Sequence, residues 1–358
     1  MIYLDYQAST PLAPEARDAM LRWLDGPEGT GFGNPHSPHR MGRMAAAAIE
    51  VARDQVAAMM PPGGRVIFTG GATEAINLAI RGVNATGSIS VSAIEHAAVL
   101  DTARALDRCH ILNVSAEGKC NTRQDLPGDT RLVCVMQVNN EIGTIQPTVD
   151  WQRKARSAGA LYLCDAVQAY GKQQVTGADM IAVSAHKLHG PKGVGALWLR
   201  DGVELIEVQT GGGQEDRLRS GTLSPALIAG FGAAAALAKE RIEQDAAHVE
   251  ALWMRARELF ADWTLNGSED ARWHGNLNLR RNGLDVARLM SDCREVMFSA
   301  GSACASGSGR PSHVLKAIGL TDSEAKSSIR LGFGRYTKMA EIEEAARLIN
   351  MAAEAQDL

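Results

Sequence analysis

Short apolar runs alternate with helix-like stretches between about residues 65 and 199. The runs are RVIFT (65–69), SISVSAI (88–94), RLVCVMQV (131–138), LYLCDA (161–166), DMIAVSA (179–185) and GALWL (195–199). Several are apolar at successive positions, which is typical of strands whose two faces are both covered. Because such runs alternate with helical stretches, the pattern predicts an α/β domain with a mostly parallel central sheet.

The pattern becomes helical after Pro225. The alanine-rich stretch 226–238 is interrupted by glycine and is too short to cross a bilayer, so it predicts a buried helix. Near the chain end, apolar residues at helical spacing predict an amphipathic helix; they are Ile342, Ala345, Ala346, Ile349 and Ala353. We predict a large domain of residues 15–245, and a smaller α+β domain made of residues 1–14 and 246–358.

Composition narrows the possible functions. A chain of 358 residues exceeds what one core usually absorbs, which agrees with two domains. The net charge of −4 offers no basic surface for nucleic acid or anionic lipid. The N-terminus MIYLDYQAST lacks the basic and apolar regions of a signal peptide, so we expect a cytoplasmic protein that does not bind membranes.

Candidate chemistry lies just past the predicted strands, where ligands bind in parallel sheets. Lys187, in SAHKLHGPKGVGAL (184–197), follows a strand in a glycine-rich turn, and a buried lysine amine can form a Schiff base with pyridoxal 5'-phosphate (PLP). A solvated surface lysine is the ordinary alternative, and Lys192 is a rival in the same loop.

Asp165 ends an apolar run, where a carboxylate needs a cationic partner. A pyridinium nitrogen is one such partner, and an N-cap role for the next helix is the alternative. Gln168, one turn later, is placed to reach a ring hydroxyl.

Three further turns add weaker signals. GGATEAIN (70–77) opens a helix whose N-terminus, with Thr73, suits a phosphate, and SGT (220–222) can add a hydroxyl. His96 is placed to stack on a ring, and Asn139 and Asn140 can bond cofactor or substrate oxygens, although structural roles are the alternative for each.

Cys304 lies in GSACASGSG (301–309), where small residues favour a mobile loop carrying a reactive thiol. The alternative for any free cysteine is a small buried apolar residue, which we expect of Cys109, Cys134, Cys164 and Cys293. Cys120, in the polar stretch KCNTR, is expected to be exposed. His186 and His189 lack a cysteine pair or carboxylate at ligand spacing, so no metal site is predicted.

Taken together, these segments resemble the cysteine desulfurases of the nitrogen-fixation and iron–sulfur-cluster type, which belong to the class V aminotransferase group of PLP enzymes. The likeness covers nearly the whole chain. It is carried by LDYQASTP (4–11), FGNPHSPH (32–39), GGATEAINLAI (70–80), EHAAV (95–99), NNEIGTIQP (139–147), DAVQAYGK (165–172), SAHKLHGPKGVGAL (184–197), GGGQEDRLRSGT (211–222), GSACASGS (301–308) and SIRLGFGRYT (328–337).

The resemblance implies the PLP-dependent transferase fold of type I and a role for each matching residue. Lys187 is the Schiff-base lysine, His96 stacks on the ring, Asp165 pairs with the pyridine nitrogen and Gln168 with the ring hydroxyl. The phosphate is bound by Ala72, Thr73, Ser184, His186 and, from the other subunit of a homodimer, Thr222. Asn140, Arg330 and Asn34 hold the substrate.

The implied reaction removes sulfur from L-cysteine, giving L-alanine and a persulfide on Cys304 that passes to a sulfur-acceptor protein for iron–sulfur cluster, thio-cofactor or tRNA synthesis. The alternatives are a selenocysteine lyase, another class V aminotransferase, or a non-catalytic scaffold in a sulfur-assembly complex. The chain ends at Leu358, without the longer tail that helps cluster-assembly members dock a scaffold, so the acceptor stays open.

Overall fold

A sheet of mostly parallel strands forms the centre of the computed structural model, which describes residues 1–83, 86–301 and 311–356. The strands in chain order are β1 (Ile2–Tyr3), β2 (Gly64–Thr69), β3 (Ile89–Ser92), β4 (Cys109–Leu112), β5 (Leu132–Cys134), β6 (Leu161–Asp165), β7 (Met180–Ser184), β8 (Gly195–Arg200), β9 (Thr264–Leu265), β10 (Asn276–Arg280), β11 (Val296–Met297), β12 (Ser299–Ala300) and β13 (Ser328–Gly332). The helices are α1 (Pro14–Leu21), α2 (Arg40–Ala57), α3 (Ala72–Gly82), α4 (Ala97–Ala105), α5 (Thr148–Ser157), α6 (Pro225–Leu259), α7 (Val286–Asp292), α8 (His313–Ala317), α9 (Asp322–Lys326) and α10 (Met339–Glu354).

The central sheet has the order β2-β8-β7-β6-β5-β3-β4. Strand β8 alone runs opposite to the other six strands of this sheet. Each predicted run contains one strand, which confirms the predicted α/β class, whereas the short strand β4 was not anticipated. The run 131–138 yields only the short β5, because the Met136 N–H leaves the ladder and donates to the Glu95 carboxyl.

Both faces of the sheet are covered, which explains the continuous apolar runs. Side chains alternate between two cores along each strand. Phe68 faces the core that contains Phe231 of α6, with ring centroids 6.3 Å apart. Its neighbour Ile67 faces the other core, together with Ile76 of α3. The cores therefore hold the sheet between two layers of helices.

The second unit is built around the antiparallel sheet β12-β13-β10-β9. Helix α10 packs on α6 and α7 and buries one face in the core that also contains Leu277 and Leu279 of β10, and its buried residues are the five predicted for the amphipathic helix. The chain start joins this unit, since β1 pairs in parallel with β11. Helix α6 runs unbroken past residue 245, so the boundary placed there stays a prediction.

Helix α6 connects the two units. The early part of α6 packs on α1 and α2, where Gly230 lies against Met20 and Gly232 against Ala52. Its later part reaches α10 through an Arg255–Glu343 ion pair of 3.0 Å. Within the described ranges, no helix has the length and apolar character needed to cross a membrane.

Candidate active site

The carboxyl ends of β2, β3, β5, β6 and β7 open into a cavity of about 760 Å³. Parallel strands bring their following loops to one edge of the sheet, which is where ligands bind in such folds. Ten residues predicted from the sequence line this cavity: Ala72, Thr73, His96, Asn140, Asp165, Gln168, Ser184, His186, Lys187 and Arg330. The fold therefore brings together most of a site that was dispersed along the chain.

Lys187 closes a short 3₁₀ turn, Ala185–Lys187, directly after β7. Its Nζ donates to the carbonyl oxygens of Gln7 and Ala8, the second at 2.9 Å. These contacts hold a flexible side chain in the cavity, because carbonyl oxygens accept from an amine without neutralising it. The amine is therefore positioned by the chain start, and not solvated as in the ordinary alternative.

Asp165 ends β6 and is buried. Burial raises the pKa of its carboxyl, while the imidazole of His96, the Val167 N–H at 2.9 Å and the charge of Lys187 oppose that rise. The N–H contact is local and resembles the capping alternative, yet the side chain also lines the cavity. The carboxylate is thus both anchored and available to a cation.

Glu95 is a second buried carboxyl beside Asp165. Burial, followed by the nearby charge of Asp165, raises the pKa of Glu95 well above its ordinary value. Its Oε1 accepts from Met136 N–H, and its Oε2 is buried without a hydrogen-bond partner among the described residues. Because Asp165 has more groups that favour its charged form, the pair holds its single negative charge on Asp165.

His96 caps α4 while facing the cavity. The Ala98 N–H donates to His96 Nδ1 at 3.1 Å, so the proton of a neutral imidazole lies on Nε2. The structural and functional interpretations of this histidine are therefore compatible.

The other end of the cavity offers donors to an anion. Helix α3 begins after Gly71, whose φ of 154° suits glycine, and no side chain of the described residues caps it there. A Cβ on Gly195 would lie 2.8 Å from Gly71 Cα, so β8 approaches this turn closely. Ala72 and Thr73 at this uncapped helix start line the cavity, and a helix N-terminus of this kind suits an anion.

The carboxylate nearest to this helix start is already paired, so its charge opposes a bound anion less. Glu74 also lines the cavity, but its carboxylate is paired with Arg219 at 2.6 Å and accepts from Gly70 N–H at 2.7 Å. Burial lowers the pKa of His186 to about 4, so this imidazole is neutral at neutral pH and Nδ1 lies 3.3 Å from Ser9 Oγ.

Arg330 lies on β13 of the second unit and is 1% exposed. Its Nη2 donates to Asp5 Oδ1 at 2.7 Å, and its Nη1 to the Asn140 carbonyl at 3.1 Å. Its buried Nε has no partner among the described residues. The residue also lines the cavity, and a guanidinium held in place there is suited to bind a carboxylate.

Two predicted residues lie elsewhere, and a third falls outside the described ranges. Asn34 is exposed, and its Oδ1 accepts from His36 N–H at 2.9 Å. Thr222 is also exposed and does not line the cavity of its own chain. Cys304 belongs to residues 302–310, which the structure does not describe.

The described cysteines are poor nucleophiles. Cys134, Cys164 and Cys293 are buried as predicted, whereas Cys109 is half-buried. The expectation for Cys120 was wrong: it is buried, because Gln146 and Trp151 bond its backbone and cover the polar stretch. Burial raises the pKa of Cys120 to about 12, and burial also raises the pKa of the other four.

Sequence reasoning missed the supports of the site. Gln7 and Ala8 hold Lys187, Asp5 holds Arg330, and Glu95 backs Asp165. The sequence did carry a signal for Glu95. It directly follows an apolar run, where a carboxyl, like that of Asp165, needs a partner.

Comparisons with known proteins agree with this geometry. Residues 2–345 match the aminotransferase class-V family. A cysteine desulfurase IscS of Rickettsia akari is 39% identical, covering 97% of this chain and 90% of that protein. A NifS-like protein structure from Rickettsia africae superposes with a TM-score of 0.90 at 26% identity, covering 99% of both chains. The structure of SspA in complex with cysteine gives a TM-score of 0.82 at 34% identity, covering 94% of this chain and 100% of that one.

Proposed function

Since the chain belongs to the class-V aminotransferase family and is a PLP-dependent cysteine desulfurase, we propose that Lys187 carries the cofactor and that Cys304 accepts the sulfur. One observation supports this assignment most: Lys187, Asp165, Arg330 and the uncapped start of α3 line the same cavity. The selenocysteine lyase, aminotransferase and scaffold alternatives are not favoured by these relatives.

The donor set of the cavity fits a phosphorylated pyridine aldehyde. Lys187 supplies an amine, and Asp165 supplies a carboxylate for the ring nitrogen. The phosphate would be held by the N–H groups of Ala72 and Thr73, together with Ser184 and His186. His96 would cover the ring face and Gln168 would meet the ring hydroxyl.

Bound PLP supplies an electron sink for the charge left when the substrate loses its α-proton. Asp165 would face the ring nitrogen and favour its protonated form, and the neutral state of neighbouring Glu95 leaves the negative charge on Asp165 for this role. Lys187 Nζ is the group we assign to moving the α-proton, since it lies in the cavity; His96 Nε2 is the second candidate.

Substrate binding falls to residues that bridge the two units. Arg330, which lines the cavity and is held by Asp5 and the Asn140 carbonyl, would bind the carboxylate of L-cysteine. Asn140 adds a side-chain contact to the substrate. Asn34 lies outside this cavity, so its substrate role requires a movement of its segment or a partner chain.

Sulfur transfer then requires a thiolate at position 304. Its attack on the substrate's sulfur forms an S–S bond and breaks the Cβ–S bond, whose electron pair stays on carbon. That carbon takes up a proton and becomes the methyl group of alanine, and Cys304 is left as a persulfide. The raised pKa values of the described cysteines support this choice, because none of them is thiolate-rich at neutral pH.

The assembly is proposed to be a homodimer, working in the cytoplasm with a sulfur-acceptor protein. Thr222 would reach the phosphate of the partner subunit, which agrees with its exposure outside its own cavity. The strongly exposed side chains of Leu24 (62%) and Phe32 (64%) are apolar surface that a partner can cover.

The test is to incubate the purified protein with PLP and L-cysteine, quantify alanine and map the persulfide by mass spectrometry. We expect stoichiometric alanine at first turnover and the additional sulfur on Cys304. Cys304→Ala should keep cofactor absorbance but lose sulfide release, whereas Cys109→Ala, the matched control, should behave as wild type. Undiminished turnover in Cys304→Ala would remove this thiol from the mechanism.

A further inference from the structure

A second lysine lies behind Gln168 and has no part in the chemistry above. Lys172 follows Gln168 by one turn, and its Nζ lies 3.2 Å from Gln168 Oε1. Lys172 lines a separate cavity of about 40 Å³, Gln168 lines the large one, and Gln7 borders both. Gln7 and Gln168 therefore stand between Lys172 and the candidate active site.

The hydrogen bonds of Gln168 fix the direction of its carboxamide. The charged form of Lys172 only donates, so the atom that faces this form is the amide oxygen. A backbone carbonyl only accepts, so the atom 3.0 Å from the Gln7 oxygen must be the NH₂ nitrogen. The two contacts give the same orientation independently, and the NH₂ group has a second N–H to offer a ligand.

The same carbonyl links this pair to the reactive lysine. The Gln7 oxygen accepts from Gln168 Nε2 and also from Lys187 Nζ. Lys172, Gln168, Gln7 and Lys187 thus form one chain of hydrogen bonds that runs from the small cavity into the large one.

Two histidines near Lys172 do not change charge around neutral pH. Burial lowers the pKa of His189 to about 3 and that of His186 to about 4, and the charge of Lys172 contributes to both shifts. Both imidazoles are therefore neutral around neutral pH, and their charges do not change while the cofactor absorbance is titrated there.

The other titratable groups around the small cavity are Asp245, Arg335 and Tyr6. Asp245 is paired with Arg335 at 2.7 Å, and burial raises the pKa of Tyr6, which stays neutral. Burial, followed by the charge of Lys187, lowers the pKa of Lys172 to about 7. The repulsion between Lys187 and Lys172 is thus the charge interaction that affects the protonation of Lys172.

We infer that Lys172 is a positioning residue: its Nζ holds the Gln168 oxygen, so that the amide N–H faces the ring hydroxyl of the cofactor. The inference rests on the proposed function, which places that hydroxyl beside Gln168. Without Lys172, the Gln7 contact alone orients the carboxamide, and a turned carboxamide would place its oxygen against the ring oxygen, where the two acceptors repel each other.

The experiment uses the holoenzyme and the pH dependence of its visible cofactor absorbance. An N–H donated to the ring oxygen and a nearby positive charge both favour the cofactor form with one proton fewer. We expect Lys172→Met to raise the pH midpoint by about half a unit or more, and to weaken cofactor binding about tenfold. Lys172→Arg, which keeps a donor-only cation, should restore both values, and exposed Lys239→Met is the matched control.

A double-mutant cycle with Gln168→Ala shows whether Lys172 acts through Gln168. We expect Lys172→Met to add little in the Gln168→Ala background. An equal effect in both backgrounds, or a wild-type midpoint in Lys172→Met, would overturn the inference. If Lys172→Met cannot be purified, Gln168→Glu replaces it: this variant keeps the contact to Lys172 but offers the ring no N–H. A wild-type midpoint in Gln168→Glu would also overturn the inference.

Failure of the proposed function has a different signature. If Lys187→Ala keeps the wild-type spectrum, or Gln168→Ala keeps the wild-type midpoint, the cofactor does not lie where it was placed. If Gln168→Ala shifts the midpoint and Lys172→Met does not, the placement stands and only the role of Lys172 is wrong.

Discussion

At the scale of single residues, the site depends on two neighbouring buried carboxyls with different surroundings. Asp165 has the Val167 N–H, His96 and Lys187 to favour its charged form. Glu95 has the Met136 N–H alone to oppose burial and the charge of Asp165. The same functional group therefore carries the charge at one position and a proton at the other.

This difference predicts how stability responds to pH in Glu95→Gln. The folded pKa of Glu95 is raised above the ordinary value of 4.5. At a pH between 4.5 and this raised pKa, Glu95 holds a proton in the folded protein that it has lost in the unfolded chain, so rising pH favours unfolding. The carboxamide lacks this penalty, and Glu95→Gln should gain stability over wild type by about 1 kcal/mol per pH unit in that window.

Urea unfolding of both proteins at about pH 5.5 and about pH 7.5, at fixed cofactor concentration, measures the effect. Exposed Glu240→Gln on α6 serves as the control and should show a pH-independent difference from wild type. A difference between Glu95→Gln and wild type that does not change with pH would show that Glu95 is ionised in the folded protein.

At the scale of elements, the start of α3 is shaped by the strand beside it. A Cβ on Gly195 of β8 would lie 2.6 Å from the Val183 oxygen and 2.8 Å from Gly71 Cα. Both obstacles are backbone atoms, so the helix start would have to move.

Gly195→Ala should therefore weaken cofactor binding about tenfold and cost about 1 to 3 kcal/mol of stability. Equilibrium dialysis of the cofactor and urea unfolding check the two effects. Gly128→Ala is the matched control, because a Cβ there meets no atom within 4 Å among the described residues. Unchanged affinity in Gly195→Ala would show that the α3 start does not bind the phosphate.

A second element-scale feature ties the loop 211–222 to the large domain. Glu215, whose side chain is 2% exposed, forms two hydrogen bonds of 2.8 Å with Arg53 of α2 and accepts from Phe68 N–H of β2 at 2.7 Å. Its φ of 50° is in the left-handed region, so these contacts hold a strained backbone.

Glu215→Ala should destabilise the protein by about 3 kcal/mol, since it leaves the Phe68 N–H without its acceptor and the partly buried guanidinium with exposed Glu50 as its remaining charged partner. Glu50 contacts the same arginine at 3.1 Å but is 64% exposed, so Glu50→Ala should cost about 1 kcal/mol or less. Urea unfolding of both variants gives the comparison, and equal losses would contradict it.

At the scale of the whole molecule, the site joins parts of the chain that are far apart in sequence. The chain start holds Lys187 through Gln7 and Arg330 through Asp5, so it contacts both units at the cavity. Gln7 also donates to the Gly275 carbonyl at 2.7 Å, which fixes its own position against the second unit.

Subunit mixing tests the proposed dimer. Lys187→Ala and Thr222→Ala chains, unfolded together and refolded, should give heterodimers in which one of the two sites has both residues intact. We expect that mixture to regain wild-type cofactor affinity at a fraction of the sites, because the intact Thr222 is supplied by the Lys187→Ala subunit. If Thr222 served its own chain, no site of the mixture would regain both residues.

The sequence alone determined six strands of the central sheet, the amphipathic last helix and ten residues of the cavity, because local periodicity and turn composition report burial and chain reversal directly. It did not determine the burial of Cys120, the partner of Glu95, the supports at Asp5 and Gln7, or the orientation of Gln168. Those follow from contacts between segments that only the path of the chain brings together. Periodicity shows that a side chain is covered, and the tertiary structure decides which group covers it and how its charge is balanced.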